Sequence, residues 1–170
     1  MNFPEILQSI EHDSPYKFSF QLYDEYIHRG DVGLVIGPSD GPFRDFSLTY
    51  ASWKIGPTGL LYACDPKGNE SPETTLSLNP NWTIGIGNMK MHIAAIQALR
   101  DKGIELSNIE WLTEHSDAFA IKLPDRSVNC LIDHSASEYI TYGHHPQSQY
   151  LSQVFGEYAR VLKPGGRAII

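Results

Sequence analysis

Apolar residues follow two rhythms along this chain. Val32 to Ile36, Leu60 to Cys64 and Val128 to Ile132 are short, nearly unbroken apolar runs, and Asn108 to Leu112 is a weaker one. Such runs suit strands buried on both faces. Between them, apolar positions recur every three or four residues, the spacing of one helix face. Phe18, Leu22, Tyr26 and Ile27 make the first stripe, so residues 3–28 are expected to be helical with a break near Ser14-Pro15. Phe43, Phe46, Tyr50 and Trp53 make the next, with Pro42 suited to the first helical position and Gly56-Pro57-Thr58-Gly59 closing it. Asn88 can cap a helix running to Asp101 with Ile93, Ile96 and Leu99 inward. Tyr150, Val154, Tyr158 and Leu162 line a last helix, which Lys163-Pro164-Gly165-Gly166 stops before Arg167 opens a fifth strand.

Strands that alternate with helices predict an α/β fold: a doubly wound, mainly parallel sheet with helices on both faces. Such sheets bind ligands beyond the carboxyl ends of their strands, near the point where strand order reverses. The turn after the first strand, Asp65, and the ends of strands three and four should therefore meet at one crevice. The long Pro-, Asn-, Ser- and Thr-rich connection at 66–84 belongs to the kind that often carries function.

Composition narrows the ligand. A chain of 170 residues, 41% hydrophobic and 19% charged, suits one soluble domain with a sizeable core. A net charge of -7 gives no general attraction to nucleic acid or anionic lipid, so neither is expected as a partner. The start, "MNFPEILQSIEHDS", lacks the basic and apolar regions of a signal peptide, and no run is long enough to span a bilayer. A cytoplasmic location is expected. Cys64 and Cys130 lie inside apolar runs and read as small buried hydrophobes.

Four stretches carry a resemblance: "LVIGPSDGPF" (34–43), "GPTGLLYACDP" (56–66), "SDAFAIKLPDRSVNCLIDHSASEYI" (116–140) and "YARVLKPGGRAII" (158–170). In that order they resemble the glycine-rich first motif, the second strand with its terminal acid, the fourth-strand block and the "RVLKPGG" step of class I S-adenosylmethionine-dependent methyltransferases. The resemblance implies a Rossmann-like sheet of order 3-2-1-4-5 over residues 31–170, preceded by a helical segment, 1–30, that can act as a lid. It implies S-adenosyl-L-methionine as cofactor and a small molecule as substrate. Gly37, Pro38, Ser39 and Gly41 would form the turn against the methionine half, where a missing Cβ lets backbone approach. Asp65 would accept from the ribose hydroxyls, Asp117 and Ala118 would meet the adenine edge, and Asp133 would lie beside the sulfonium. His134 would be the candidate base, and Tyr23 a pocket residue of the lid. The family's sheet continues for two more strands, so a further segment of a longer polypeptide, or another chain, is expected along strand five.

Three positions depart from the family pattern. Val35 replaces the usual acid, Ser39 the middle glycine, and Asn129 the acid before strand four. The first two, together with the strands missing after the fifth, motivate a second reading, a non-catalytic methyltransferase-like module. A nicotinamide cofactor is the competing ligand, but Asp40 would repel its pyrophosphate and the third glycine of G-x-G-x-x-G is absent. His134 has an equal alternative as a hydrogen-bonded wall residue. His144-His145 lacks a third ligand nearby and reads as a loop, so no metal is expected. "IGIGN" (84–88) has no clear strand before it and reads as a helix start within the loop. Tyr16, Tyr23 and Tyr26 fit equally a core or interface role.

Overall fold

Each apolar run becomes a strand, and the strands assemble into one sheet. The structure, a computed structural model, describes residues 17–37, 47–64, 96–112, 118–133 and 147–170. In chain order the elements are α1 (Lys17–Tyr26), β1 (Val32–Ile36), α2 (Ser47–Ile55), β2 (Leu60–Cys64), α3 (helical residues 96–101), β3 (Asn108–Leu112), β4 (Val128–Asp133), α4 (Gln147–Val161) and β5 (Leu162–Ile169). The sheet has the expected order β3-β2-β1-β4-β5, and every neighbouring pair is parallel.

The alternation of side chains along the strands splits the core in two. On one face Val35, Leu61, Ala63, Cys130 and Ile132 pack with Tyr23 and Ile27 of α1, Leu48, Ala51 and Ile55 of α2, and Ile96 of α3. On the other, Leu34, Ile36, Cys64 and Leu131 pack with Val154, Tyr158 and Val161 of α4 and with Ala118, Ile121 and Leu123. Each fully buried valine, leucine or isoleucine among them contributes about 1.5–3 kcal/mol.

α1 is built into the first of these layers. Tyr23 is 1% exposed and its ring stands 5.9 Å from that of Tyr50, which meets Trp53 edge-on at 5.5 Å. The Tyr50 hydroxyl donates to Asp24 at 2.8 Å, and Lys54 pairs with the same carboxylate at 2.8 Å, tying α1 to α2.

The junction between α4 and β5 differs from expectation. Leu162 leaves the helix stripe and opens the strand, because it pairs with Val128. The register then slips: Cys130 faces Arg167, so Lys163 to Gly166 bulge out opposite Asn129. Gly165 absorbs the bulge at φ 76°, a left-handed conformation that a side chain disfavours. Asn129 ties the bulge to the start of β1: its Oδ1 accepts from the Val32 N–H and from Lys163 Nζ, each at 3.0 Å.

Candidate active site at the strand tips

The strand order reverses between β1 and β4, since β1 leads to β2 on one side and β3 returns to β4 on the other. That is where an open parallel sheet presents a crevice. Ile36 pairs with Cys64 of β2 and with Asp133 of β4, so the row Cys64–Ile36–Asp133 forms the carboxyl rim of the three central strands. Gly37 turns off this rim at φ 66°, and its N–H donates to the Cys64 carbonyl at 2.7 Å. The turn thus begins over the tip of β2, with no Cβ on its first residue.

Asp133 carries the one carboxyl group among the buried side chains described, at 3% exposure. The Tyr158 hydroxyl, from α4, donates to its Oδ2 at 2.9 Å. Burial, and then the charge of Asp133, push the phenol far above its usual range, so it remains a donor at any working pH. A buried carboxyl group is therefore held by a hydrogen bond at the point of strand reversal.

The structure brings Gly37 and Asp133 together at the rim. Ala118 is buried in the same apolar layer as Ile36 and Cys64. Tyr23 stands in the layer on the opposite face, with Val35. Pro38, Ser39, Gly41, Asp65, Asp117 and His134 lie outside the described residues, as do the 66–84 connection, His144 and His145. Both cysteines are free and buried; burial first, then Asp31, push the Cys130 thiol up to about 12 against the pull of Arg167. That thiol is a core residue and no nucleophile. Among the described residues no His, Cys, Asp and Glu side chains gather into a metal site, and no helix is long and apolar enough to cross a membrane.

Sequence reasoning missed two residues of α4. Tyr158 reads as one more apolar position of the helix stripe, yet a buried tyrosine needs a partner for its hydroxyl, and that need was the available signal. Arg160, inside "YARVLKPGG", fastens the segment that leads into β4. It donates to the Ile121 carbonyl at 2.7 Å, the Leu123 carbonyl at 2.9 Å and Asp125 at 2.8 Å, and to both oxygens of Glu157 at 2.8 and 2.9 Å.

No family model matches this chain, and no curated protein does. Solved structures do match in fold. The YcgJ protein of Bacillus subtilis aligns with a TM-score of 0.51 at 18% identity, over 89% of this chain and 48% of its own. A SAM-dependent methyltransferase from Aquifex aeolicus gives 0.50 at 22% identity, over 92% and 67%. A candidate S-adenosyl-L-methionine-dependent methyltransferase from Methanococcus maripaludis gives 0.52 at 14% identity, over 87% and 50%. The chain spans about half to two thirds of the length of these structures. At such identities the likeness establishes a shared Rossmann-like fold.

Proposed function

We propose that this chain binds S-adenosyl-L-methionine across the tips of its central strands and transfers a methyl group to an oxygen, nitrogen or carbon nucleophile of a small-molecule substrate. The observation that carries the reading is the rim itself: a left-handed glycine turn and a buried carboxylate meet where strand order reverses. Two of the solved structures of the same fold, those from Aquifex and Methanococcus, bear the name of such methyltransferases.

The residues fit that cofactor by their chemistry. It carries an ammonium and a sulfonium, and Asp133 would set a carboxyl group beside them. Its methionine end needs backbone at close range, which Gly37 permits and Gly41 would extend, with Pro38 and Ser39 between them. Asp65 would hold the ribose hydroxyls, and Asp117 with Ala118 the adenine edge. His134, next after Asp133, would take the proton from the substrate nucleophile. When bound, the cofactor supplies a methyl group already activated for transfer. The protein's share of the rate is then mainly alignment of acceptor with donor in a water-poor crevice.

One observation favours a second reading, a module that binds without transferring. Val35 is fully buried in the apolar layer on the far side of the sheet, so β1 offers the ligand no acid of its own. Titration calorimetry separates the readings. The methyltransferase reading expects micromolar binding of S-adenosyl-L-methionine, abolished by Asp65→Ala, and no heat with NAD. A folded chain that gives no heat with the methyl donor returns the module reading, and heat with NAD alone returns an oxidoreductase.

A further inference from the structure

We propose that Arg160 and Glu157 of α4 are positioning residues: by gripping the backbone of Ile121 they fix the strip 118–121, so that the crevice tells an adenine edge from the edge of a 6-oxopurine. The inference rests on the methyl-donor reading above, which puts Asp117 and Ala118 at the adenine edge, and deepens it. The ligand class it singles out carries adenosine on sulfur, as against the hypoxanthine counterpart that deamination would give.

Both polar groups of the Ile121 backbone end on α4. Its N–H donates to Glu157 Oε2 at 3.0 Å, and its carbonyl accepts from Arg160 Nη2 at 2.7 Å. The other arm of the guanidinium, Nη1, reaches the Leu123 carbonyl at 2.9 Å, so one planar group spans two carbonyls two residues apart. Arg160 Nε and Nη2 also meet the two oxygens of Glu157, at 2.9 and 2.8 Å, which fixes the guanidinium plane. Ala118 is 1% exposed and Ile121 3%, and both pack in the layer that carries Ile36 and Cys64 of the rim. The grip thus acts three residues from the backbone that would meet adenine.

Residues 121–127 belong to no helix or strand, so their course is set by bonds from outside. That matters for recognition of a base edge. Adenine presents an acceptor at N1 and a donor at its exocyclic amine. Hypoxanthine presents a donor at N1 and an acceptor at O6. A backbone N–H beside a carboxylate matches the first pattern and mispairs with the second. Mispairing costs most where the protein groups cannot shift to suit the ligand. The geometry of the guanidinium supplies the grip, since its charge is already met by Glu157 and Asp125. A lysine at position 160 would bring the same charge, but a point charge cannot span two carbonyls.

The test is titration calorimetry of the full chain with S-adenosylhomocysteine and, separately, S-inosylhomocysteine, for the wild type, Arg160→Met and Arg160→Lys. The quantity read is the ratio of the two affinities. The wild type is expected to prefer the adenine ligand roughly a hundredfold, and each variant to lose about tenfold of that preference, while affinity for the inosine ligand stays within about twofold. A side chain that only stabilises the fold would weaken both ligands alike. A wild type that binds the two equally, or an unchanged ratio in either variant with native near-ultraviolet dichroism, overturns the inference and leaves the methyl-donor reading standing. If neither variant folds, Arg160 holds the fold and not the base edge, and the inference is again overturned. A folded wild type that binds neither ligand overturns both.

Discussion

Gly33 sits in the middle of β1, where a sequence reader sees only a strand residue of low propensity. Its place is dictated by what presses on it. A Cβ there would stand 2.8 Å from the terminal methyls of Ile55 and Leu61 and 3.2 Å from the Cys130 sulfur. α2 can lie close to the sheet because this residue has no side chain. Ile55, Leu61 and Cys130 are fully buried, so any of them that gives way must shift within the core. The cost of filling the position is therefore overpacking. Gly33→Val is expected to lose about 1–3 kcal/mol of stability, with Gly33→Ala intermediate. Urea denaturation measures this; a valine variant as stable as the parent would mean that α2 packs farther from the sheet than described. The same scale explains Tyr158. The apolar stripe that finds it says nothing of its hydroxyl, because periodicity reports burial and not what a buried polar atom must bond.

At the scale of elements, the strands were legible because a sheet covered on both faces demands unbroken apolar runs, and β1 and β2 have the bounds that those runs give. The α4–β5 junction was less legible. Helix stripe and strand run overlap at Leu162, and only the partner Val128 on a distant segment decides between them. The segment 121–127 carries no periodicity at all. It is fixed from outside by Arg160, whose guanidinium spans two carbonyls and two carboxylates, and by backbone bonds from Arg126 and Ser127 to Arg160 and Val161. The Arg160 hydrogen bond holds the Glu157 carboxyl below its ordinary 4.5, helped by the Ile121 N–H and opposed by burial. A depressed carboxyl stabilises the fold above its unfolded pKa, and that share is lost as pH falls through the folded one. Arg160→Met is expected to cost about 1–2 kcal/mol at pH 7, since Asp125 is exposed and adds little. As pH falls from 4.5 through the lower folded value, the gap between variant and parent should narrow progressively, because Glu157 becomes protonated in the folded parent as well. Denaturation curves at pH 7 and pH 3.5 provide the comparison; a gap independent of pH would mean that the carbonyl bonds alone carry the clamp.

For the whole molecule, the question is whether the helical stretch before β1 is a separate piece or part of the fold that builds the site. A lid that opens needs an interface that can part cheaply. The contacts of α1 are of the other kind. Tyr23 and Ile27 are each 1% exposed and share one apolar layer with Val35 of β1 and Ile132 of β4, the strands that meet at the rim. Asp24 is bonded to Tyr50 and Lys54 of α2. Beyond the helix, Asp31 accepts from the His28 N–H at 2.9 Å and faces Arg167 of β5 at 3.5 Å, so the start of β1 is tied to the far side of the sheet. Removing α1 would take Tyr23 and Ile27 out of the layer that α2 and α3 share with Val35 and Ile132, and expose the part of it they cover. A chain beginning at residue 31 is therefore expected to lose the single cooperative thermal transition of the parent and its near-ultraviolet dichroism. Tyr23→Ala, a milder form of the same change, should cost about 3–5 kcal/mol. If the shortened chain melts cooperatively with native dichroism, α1 is an appendage of the sheet and its movement can gate the crevice. If it does not, any gate over the strand tips has to come from outside α1, and the carboxylate held by Tyr158 keeps its place only while both layers of the core are intact.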